Sequence, residues 1–426
     1  MQKGCGMRAI LADISTSRYL YTAASQKAPG GRGKGAGWGP RGILSLVADE
    51  PSPALPKAPG WVRLRPELTA ICGSDVGLAH AKLSFVLSAF YPETKVIPGH
   101  EIVAVVDEVG PGVTRVKEGD RVTVDVVISC AQRGFDPVCR NCAAGMPNLC
   151  ERFDLPGVTG CGGVTLGYVR ALGGGMAEQV LAHESMLFPV GRMPSTRAVL
   201  TEPAALTLHS VLQWRGQGER AVVIGPGAIG LLSVAALKRL HPELHISVVS
   251  PGEFGASWAV RVGADRTLPV GAAALEQLAE QDGGRLLRAT MTKLPLLERG
   301  VELVVDCVGS PETIDLAFHM LRPRGMLILI GAAGQQKMNW SLLWRRELTV
   351  QGTTDPGPEQ ALGGRRTHEV ALEWLADPAY PVDGFVTQVF DLADWRQALD
   401  TASNGPGAKA IRVGLRPNPD LPLVDA

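Results

Sequence analysis

The chain has 426 residues, 45% of them hydrophobic, which is more than one core usually absorbs, so two domains are expected. Lys plus Arg and Asp plus Glu each number 42, a balance that creates no global field for nucleic acid or an anionic membrane. No apolar run reaches the roughly 18 residues of a membrane span, and the opening MQKGCGMRAILADIS lacks a secretory pattern.

Residues 7–11 and 42–47 read as strands, and the Gly-rich basic stretch 27–41 between them as a mobile surface loop. Residues 61–65, 96–106, 121–127 and 176–181 continue as strands broken by Gly and Pro turns, which predicts a β-rich first domain. Residues 202–211 read as a helix with Pro203 in its first turn. From residue 221 to about 352 strands alternate with helices: 246–249, 303–306 and 326–330 are strands, with helical patterns between them. Such alternation implies a parallel sheet with right-handed crossovers. After 353 the character is mixed, with a helix at 369–375 and a last strand at 410–415. The predicted organisation is therefore α/β, with 1–205 and a returning 353–426 enclosing 206–352. Residues 416–426 are expected to fray.

AVVIGPGAIG, residues 221–230, is the most informative stretch. A buried strand enters Gly225-Pro226-Gly227-Ala228-Ile229-Gly230, and an apolar helix follows. In the dinucleotide fingerprint the first glycine makes the tight turn. The second lets backbone approach a pyrophosphate, and the third lets helix pack on strand. The helix N-terminus then offers free N–H groups to the phosphates.

Cys130, Cys139, Cys142 and Cys150 are spaced C-x8-C-x2-C-x7-C, the pattern of a closed tetrahedral zinc site; Asp136 is an alternative to Cys130 as fourth ligand, and thiolate softness favours Cys130. Eight cysteines are too few for a disulfide scaffold in a chain this long, so a reducing compartment, by default the cytoplasm, is expected. Cys72, His100 and Glu202, with Glu101 beside the histidine, offer the donor types of a catalytic zinc with one position open. Each alone reads equally well as a core cysteine, a turn histidine or a helix N-terminal charge.

The contexts of these residues carry a resemblance. ICGSD (71–75), PGHE (98–101), GDRV (119–122), the cysteine lobe, TEPAAL (201–206), the glycine turn and VDCVGS (305–310) occur in that order. The chain resembles the zinc-dependent medium-chain alcohol and polyol dehydrogenase family over about residues 7–415. The resemblance implies a GroES-like β-rich catalytic domain and a Rossmann doubly wound parallel-sheet domain, assembled as a homodimer or homotetramer. It implies hydride transfer between an alcohol or carbonyl small molecule and NAD or NADP, with catalytic and structural Zn²⁺, and no nucleic-acid or membrane partner. It assigns Cys72, His100 and Glu202 as catalytic-zinc ligands and Glu101 as a neighbouring or exchanging carboxylate. Ser74 would take the substrate proton, and Asp75 would orient His100. Ser250, Val308 and Gly331 join the glycine turn as cofactor residues. A zinc-free enone or quinone reductase, or a nucleotide-binding redox sensor, are the rival readings.

Three departures stand out. Gly77 occupies the position where many relatives carry a proton-relaying histidine, and His80 nearby reads as a surface histidine, with a substitute for that relay as the alternative. The second Rossmann strand ends in Ser250-Pro251-Gly252 without the usual ribose-binding carboxylate, which leaves NAD and NADP both open. The segment 81–91 is apolar and aromatic, so if it lines the cleft it favours a substrate with apolar surface over a bare sugar.

Overall fold

The N-terminal alternation MRAILAD forms strand β1 (Met7–Asp13), and the chain then makes helix α1 (Thr16–Gln26) before returning as β2 (Leu44–Glu50), antiparallel to β1. In this computed structural model the described residues are 6–27, 35–216, 218–281 and 283–425. They divide into two compact units, one drawn from Met1–Glu202, Asp355–Asp377 and Asp383–Ala426, the other from Pro203–Thr354 and Pro378–Val382.

In the first unit, β3 (Trp61–Ala70) leads directly into α2 (Gly73–Ala79), and β4 (Lys95–Val96) pairs with β1. β5 (Glu101–Val109), β6 (Arg121–Val124), β7 (Val180–His183) and β8 (Leu187–Pro189) complete the N-terminal strands, with the short helix α3 (Arg140–Ala143) in the cysteine lobe and α4 (Ser195–Ala198) after β8. Inward-facing Trp61, Leu64, Ile102, Val122 and Leu181 are fully buried in one cluster, which is the hydrophobic term that holds these strands together. Helix α5 (Thr201–Val211) follows.

The second unit is built from strands β9 (Arg220–Ile224), β10 (His245–Val249) and β11 (Arg266–Leu268), alternating with helices α6 (Ala228–Leu240), α7 (Glu253–Arg261) and α8 (Ala272–Gln281). A small hairpin, β12 (Leu286–Leu287) with β13 (Leu296–Leu297), precedes β14 (Val301–Asp306), α9 (Pro311–Met320), β15 (Leu321–Leu329), α10 (Ser341–Arg345) and β16 (Thr349–Gly352). The six long strands are parallel in the order β11-β10-β9-β14-β15-β16. Counted within the unit this is 3-2-1-4-5-6, the Rossmann order, in which ligands bind beyond the strand C-termini where the order reverses.

From Asp355 on, all but Pro378–Val382 belongs to the first unit. After the hairpin β17 (Pro358–Glu359) and β18 (Arg365–Arg366) come α11 (Thr367–Ala376), β19 (Val386–Asp391), α12 (Trp395–Asn404) and β20 (Arg412–Arg416). β20 pairs with β3, giving the sheet order β19-β20-β3-β5-β6-β8 with β7 also on β3.

Three local expectations fail. Of the loop expected over 27–41, residues 28–34 lie outside the described residues, and the rest is not loose: Trp38 is buried and its indole N–H donates to Asp400 Oδ1 at 3.1 Å. Residues 416–425 do not fray. Asn418 donates to the carbonyls of Pro66 and Glu178, and Val424 exchanges hydrogen bonds with Ser195, its N–H donating to Ser195 Oγ at 2.8 Å. His80 is buried rather than superficial, held 2.7 Å from Ser403 Oγ with Trp38 edge-on to its ring. In all three cases partners distant in sequence supply what the local pattern lacks. Among the described residues no helix is long and apolar enough to cross a membrane.

Candidate metal and cofactor sites

The antiparallel register pairs Ala70 of β3 with Glu101 of β5, and Ala70 also with Gly414 of β20. Cys72, two residues past the end of β3, is thereby brought beside His100, which immediately precedes β5. Continuing the second register brings Arg412 to the same place. One ligand atom each from Cys72, His100 and Glu101 lie within 4.8 Å of one another, with His100 and Glu101 buried. Glu202, expected as third ligand, is buried too but is not part of this trio.

Cys72 is the N-cap of α2, and its N–H donates to Asp75 Oδ2 at 2.9 Å, which fixes Asp75 in the first turn. Asp75 Oδ1 in turn lies 3.8 Å from His100 Nδ1, and Ser74 Oγ lies 3.4 Å from His100 Nε2. Sequence reasoning missed two neighbours. Arg412 Nη2 is 2.9 Å from Glu101 Oε1, although neither Glu101 oxygen accepts an aligned hydrogen bond. Tyr168 packs its ring 6.2 Å from that of His100. Neither lies in a motif; only the pairing of β20 with β3 marks the first.

Negative charge is in excess here. Burial alone would lower the His100 pKa, yet Asp75, Glu202, Glu101 and Asp355 together hold it above its ordinary value. Burial raises Glu101 well above the carboxylate range, with Arg412 opposing. Burial likewise pushes Glu202 up to about 8, opposed by His100 and reinforced by Glu101 and Asp355. A buried carboxylate cluster around one imidazole and one guanidinium lacks a compensating cation, and a soft thiolate with imidazole and carboxylate is a zinc donor set. The residues fit the metal. Replacing Arg412 with Leu, which strands Glu101, is expected to cost about 3 kcal/mol of stability, read from urea unfolding midpoints; an unchanged midpoint would show that the ion pair contributes nothing.

The second cluster is Cys130, Cys139, Cys142 and Cys150, whose sulfurs all lie within 4.8 Å of one another. Cys150 Sγ is 3.6 Å from that of Cys130 and 3.9 Å from that of Cys139. These separations are far too long for disulfides. They match the edge of about 3.8 Å that follows from four Zn–S bonds of about 2.3 Å in a tetrahedron. Asp136 is not among the four. N–H groups of Cys142 and Glu151 point at Cys139 Sγ and, against burial, bring its thiol down to about 6.

In the second unit Gly225 has φ +96°, and a Cβ on Gly230 would stand 1.9 Å from the Gly225 carbonyl oxygen. The turn and the first helical turn are thus in contact, as the fingerprint requires. Gly227 caps α6, and a Cβ there would meet nothing within 4 Å, so its outer face is open; Pro226, Ala228 and Ile229 complete the turn and the start of α6. Asp306 Oδ1 accepts from the N–H groups of Val308 and Gly309, which shapes the turn after β14. A Cβ on Gly331 would come within 2.3 Å of Val308, so glycine allows that turn to close. Gly225, Val249, Pro251, Val308 and Lys293 border a cavity of about 480 Å³. Ser250 Oγ donates to Gly252 O, and no carboxylate follows β10 where a ribose would be read. Gly230→Val is expected to weaken nicotinamide binding at least about tenfold, or 1.4 kcal/mol, in a fluorescence titration; wild-type affinity would show that the turn is not the cofactor site.

Fold and sites together define a two-unit, nicotinamide-dependent oxidoreductase with provision for two metals. Residues 58–192 match the family model described as alcohol dehydrogenase GroES-like domain, and residues 228–375 match zinc-binding dehydrogenase. The chain belongs to the zinc-dependent medium-chain dehydrogenase family, and as such is an alcohol–carbonyl oxidoreductase using a nicotinamide cofactor. It is 26% identical over 373 residues to the erythritol/L-threitol dehydrogenase of Mycolicibacterium smegmatis, covering 85% of this chain and 92% of that one. It is 25% identical to the sorbitol dehydrogenase of Halalkalibacterium halodurans, covering 87% and 95%. Its fold is similar to that of a protein described as a short chain alcohol dehydrogenase (rspB) from Escherichia coli CFT073, solved with NADH. The TM-score is 0.70 at 20% identity, covering 97% of this chain and 100% of the other.

Proposed function

We propose that this chain interconverts a small-molecule alcohol and its carbonyl compound at a zinc held by Cys72, His100 and a buried carboxylate. The approach of Cys72, His100 and Glu101 to within 4.8 Å of one another carries the reading. Glu101 is the carboxylate favoured by proximity. Glu202 is the one the family pattern assigns, and it is close enough to act electrostatically on both His100 and Glu101. A thiolate, a neutral imidazole and one carboxylate balance a divalent cation. Bound zinc supplies a Lewis acid that lowers the pKa of an alcohol, and bound nicotinamide supplies the hydride acceptor.

The chain's own residues do the rest. Asp75 accepts from the Cys72 N–H and has Oδ1 3.8 Å from His100 Nδ1, and it would orient the imidazole when the metal is bound. Ser74, whose Oγ lies 3.4 Å from His100 Nε2, would take the substrate hydroxyl proton. Cys130, Cys139, Cys142 and Cys150 would hold a second, structural zinc. The same reading places the protein in the cytoplasm as a homodimer or homotetramer, which sedimentation would check.

The test is elemental analysis alongside a screen of alcohols, polyols and aldehydes with NAD and with NADP. About two zincs per chain and alcohol-dependent cofactor reduction are expected. Activity on enones or quinones with at most one zinc would replace this reading by a zinc-free reductase; metal without any turnover would favour redox sensing.

A further inference from the structure

Beside the candidate metal site, within the first unit, lies a cavity of about 270 Å³. It is lined by Tyr168, whose ring centroid is 6.2 Å from that of His100, and by Leu78 of α2, the helix that Cys72 caps. Another wall is α1, contributing Tyr19 and Leu20, and the segment after α2 closes it with Leu83 and Leu87. We propose that this cavity receives an apolar, aryl or medium-length alkyl substituent of the substrate, so that the enzyme's alcohols are hydrophobic rather than polyhydroxylated. The inference rests on the alcohol–carbonyl reading above.

Three observations support it. First, three of the hydroxyls that border the cavity are committed elsewhere. The Tyr19 hydroxyl donates to the Ala81 carbonyl at 2.9 Å, and Ser88 Oγ donates to the Phe85 carbonyl at 2.7 Å. Tyr91 OH is engaged with Thr165 Oγ1 at 3.3 Å. A polyol entering here would find these three hydroxyls already engaged, at a cost for each of its own hydroxyls left unpaired. Second, the size is suitable: an apolar cavity of about 150 Å³ already holds benzene, and this one is larger. Third, Gly77 belongs to the same construction. A Cβ at that position would stand 3.2 Å from Leu83 Cδ2, so a larger residue there would push Leu83 out of place. Glu93, the carboxylate among the lining residues, further disfavours anionic substrates.

The experiment compares kcat/KM of the zinc-replete enzyme for 1-phenylethanol and hexan-2-ol with that for erythritol and xylitol, using each nicotinamide. A preference of roughly a hundredfold or more for the hydrophobic alcohols is expected, the discrimination one misplaced hydroxyl typically produces. Preference for the polyols overturns the inference and leaves the alcohol dehydrogenase reading intact. No turnover of any alcohol overturns that reading and the inference with it. Leu83→Trp, which fills the cavity, is expected to lower kcat/KM for 1-phenylethanol relative to propan-2-ol by about tenfold or more. Leu83→Ala, which enlarges it, should shift the preference toward bulkier aryl alcohols and serves if the tryptophan variant does not fold. An unchanged substrate ratio in the folded variant overturns the assignment of the cavity.

Discussion

Cys72→Ala is expected to lower kcat/KM by roughly a thousandfold or more, well beyond the 10- to 100-fold typical of residues that only orient a metal ligand. The thiolate contributes one of two negative charges in the proposed donor set, so its loss leaves a dication held by an imidazole and one carboxylate. Such a site retains the metal poorly, and the open coordination position loses its shape. The glycine turn lies in the other unit of the chain, and nicotinamide affinity is therefore expected to change by less than about threefold, or 0.7 kcal/mol. Zinc content should fall from about two to about one per chain. Full activity in this variant, with both metals retained, would refute the catalytic assignment.

The second large effect concerns stability. Cys150→Ser is expected to remove the structural zinc and cost about 3 kcal/mol or more, a fall in melting temperature on the order of 10 °C. Cys150 is buried and has its sulfur within 3.9 Å of two others. Three of the thiols are pulled in opposite directions. Burial pushes Cys150 up to about 11 and raises Cys142 further, whereas backbone N–H donors bring Cys139 down to about 6. A zinc ion resolves that conflict by making every thiolate a ligand. Little organises the lobe otherwise: its helix α3 has four residues, and the buried apolar cluster there consists chiefly of the cysteines themselves. Calorimetry with metal analysis provides the check. A variant with unchanged melting and two zincs would show that the quartet is packing rather than a metal centre.

The two sites were legible to different depths. The glycine turn and the cysteine quartet are short-range patterns, with every participant inside 10 or 21 residues, so spacing alone conveys their geometry. Cys72, His100 and Glu202 could be named only through the motifs around them, because nothing local indicates which of two glutamates stands nearer. That choice depends on the β3–β5 register, which carries Glu101 in directly behind His100. Helix α1 was not anticipated: only Thr22 of its 11 residues is buried, so its sequence has little apolar signal. Yet its Tyr19 and Leu20 form a wall of the cavity that bears on substrate choice.

By itself, the sequence determined the Rossmann alternation, the nucleotide turn and a four-thiol lobe, since each is specified by residues a few positions apart. Only the tertiary structure decided that Arg412, more than 300 residues from Glu101, is its ion partner, and that Tyr168 both packs near His100 and lines an apolar cavity. Such juxtapositions are set by strand register and packing, and a one-dimensional pattern holds no record of which distant segments will lie side by side.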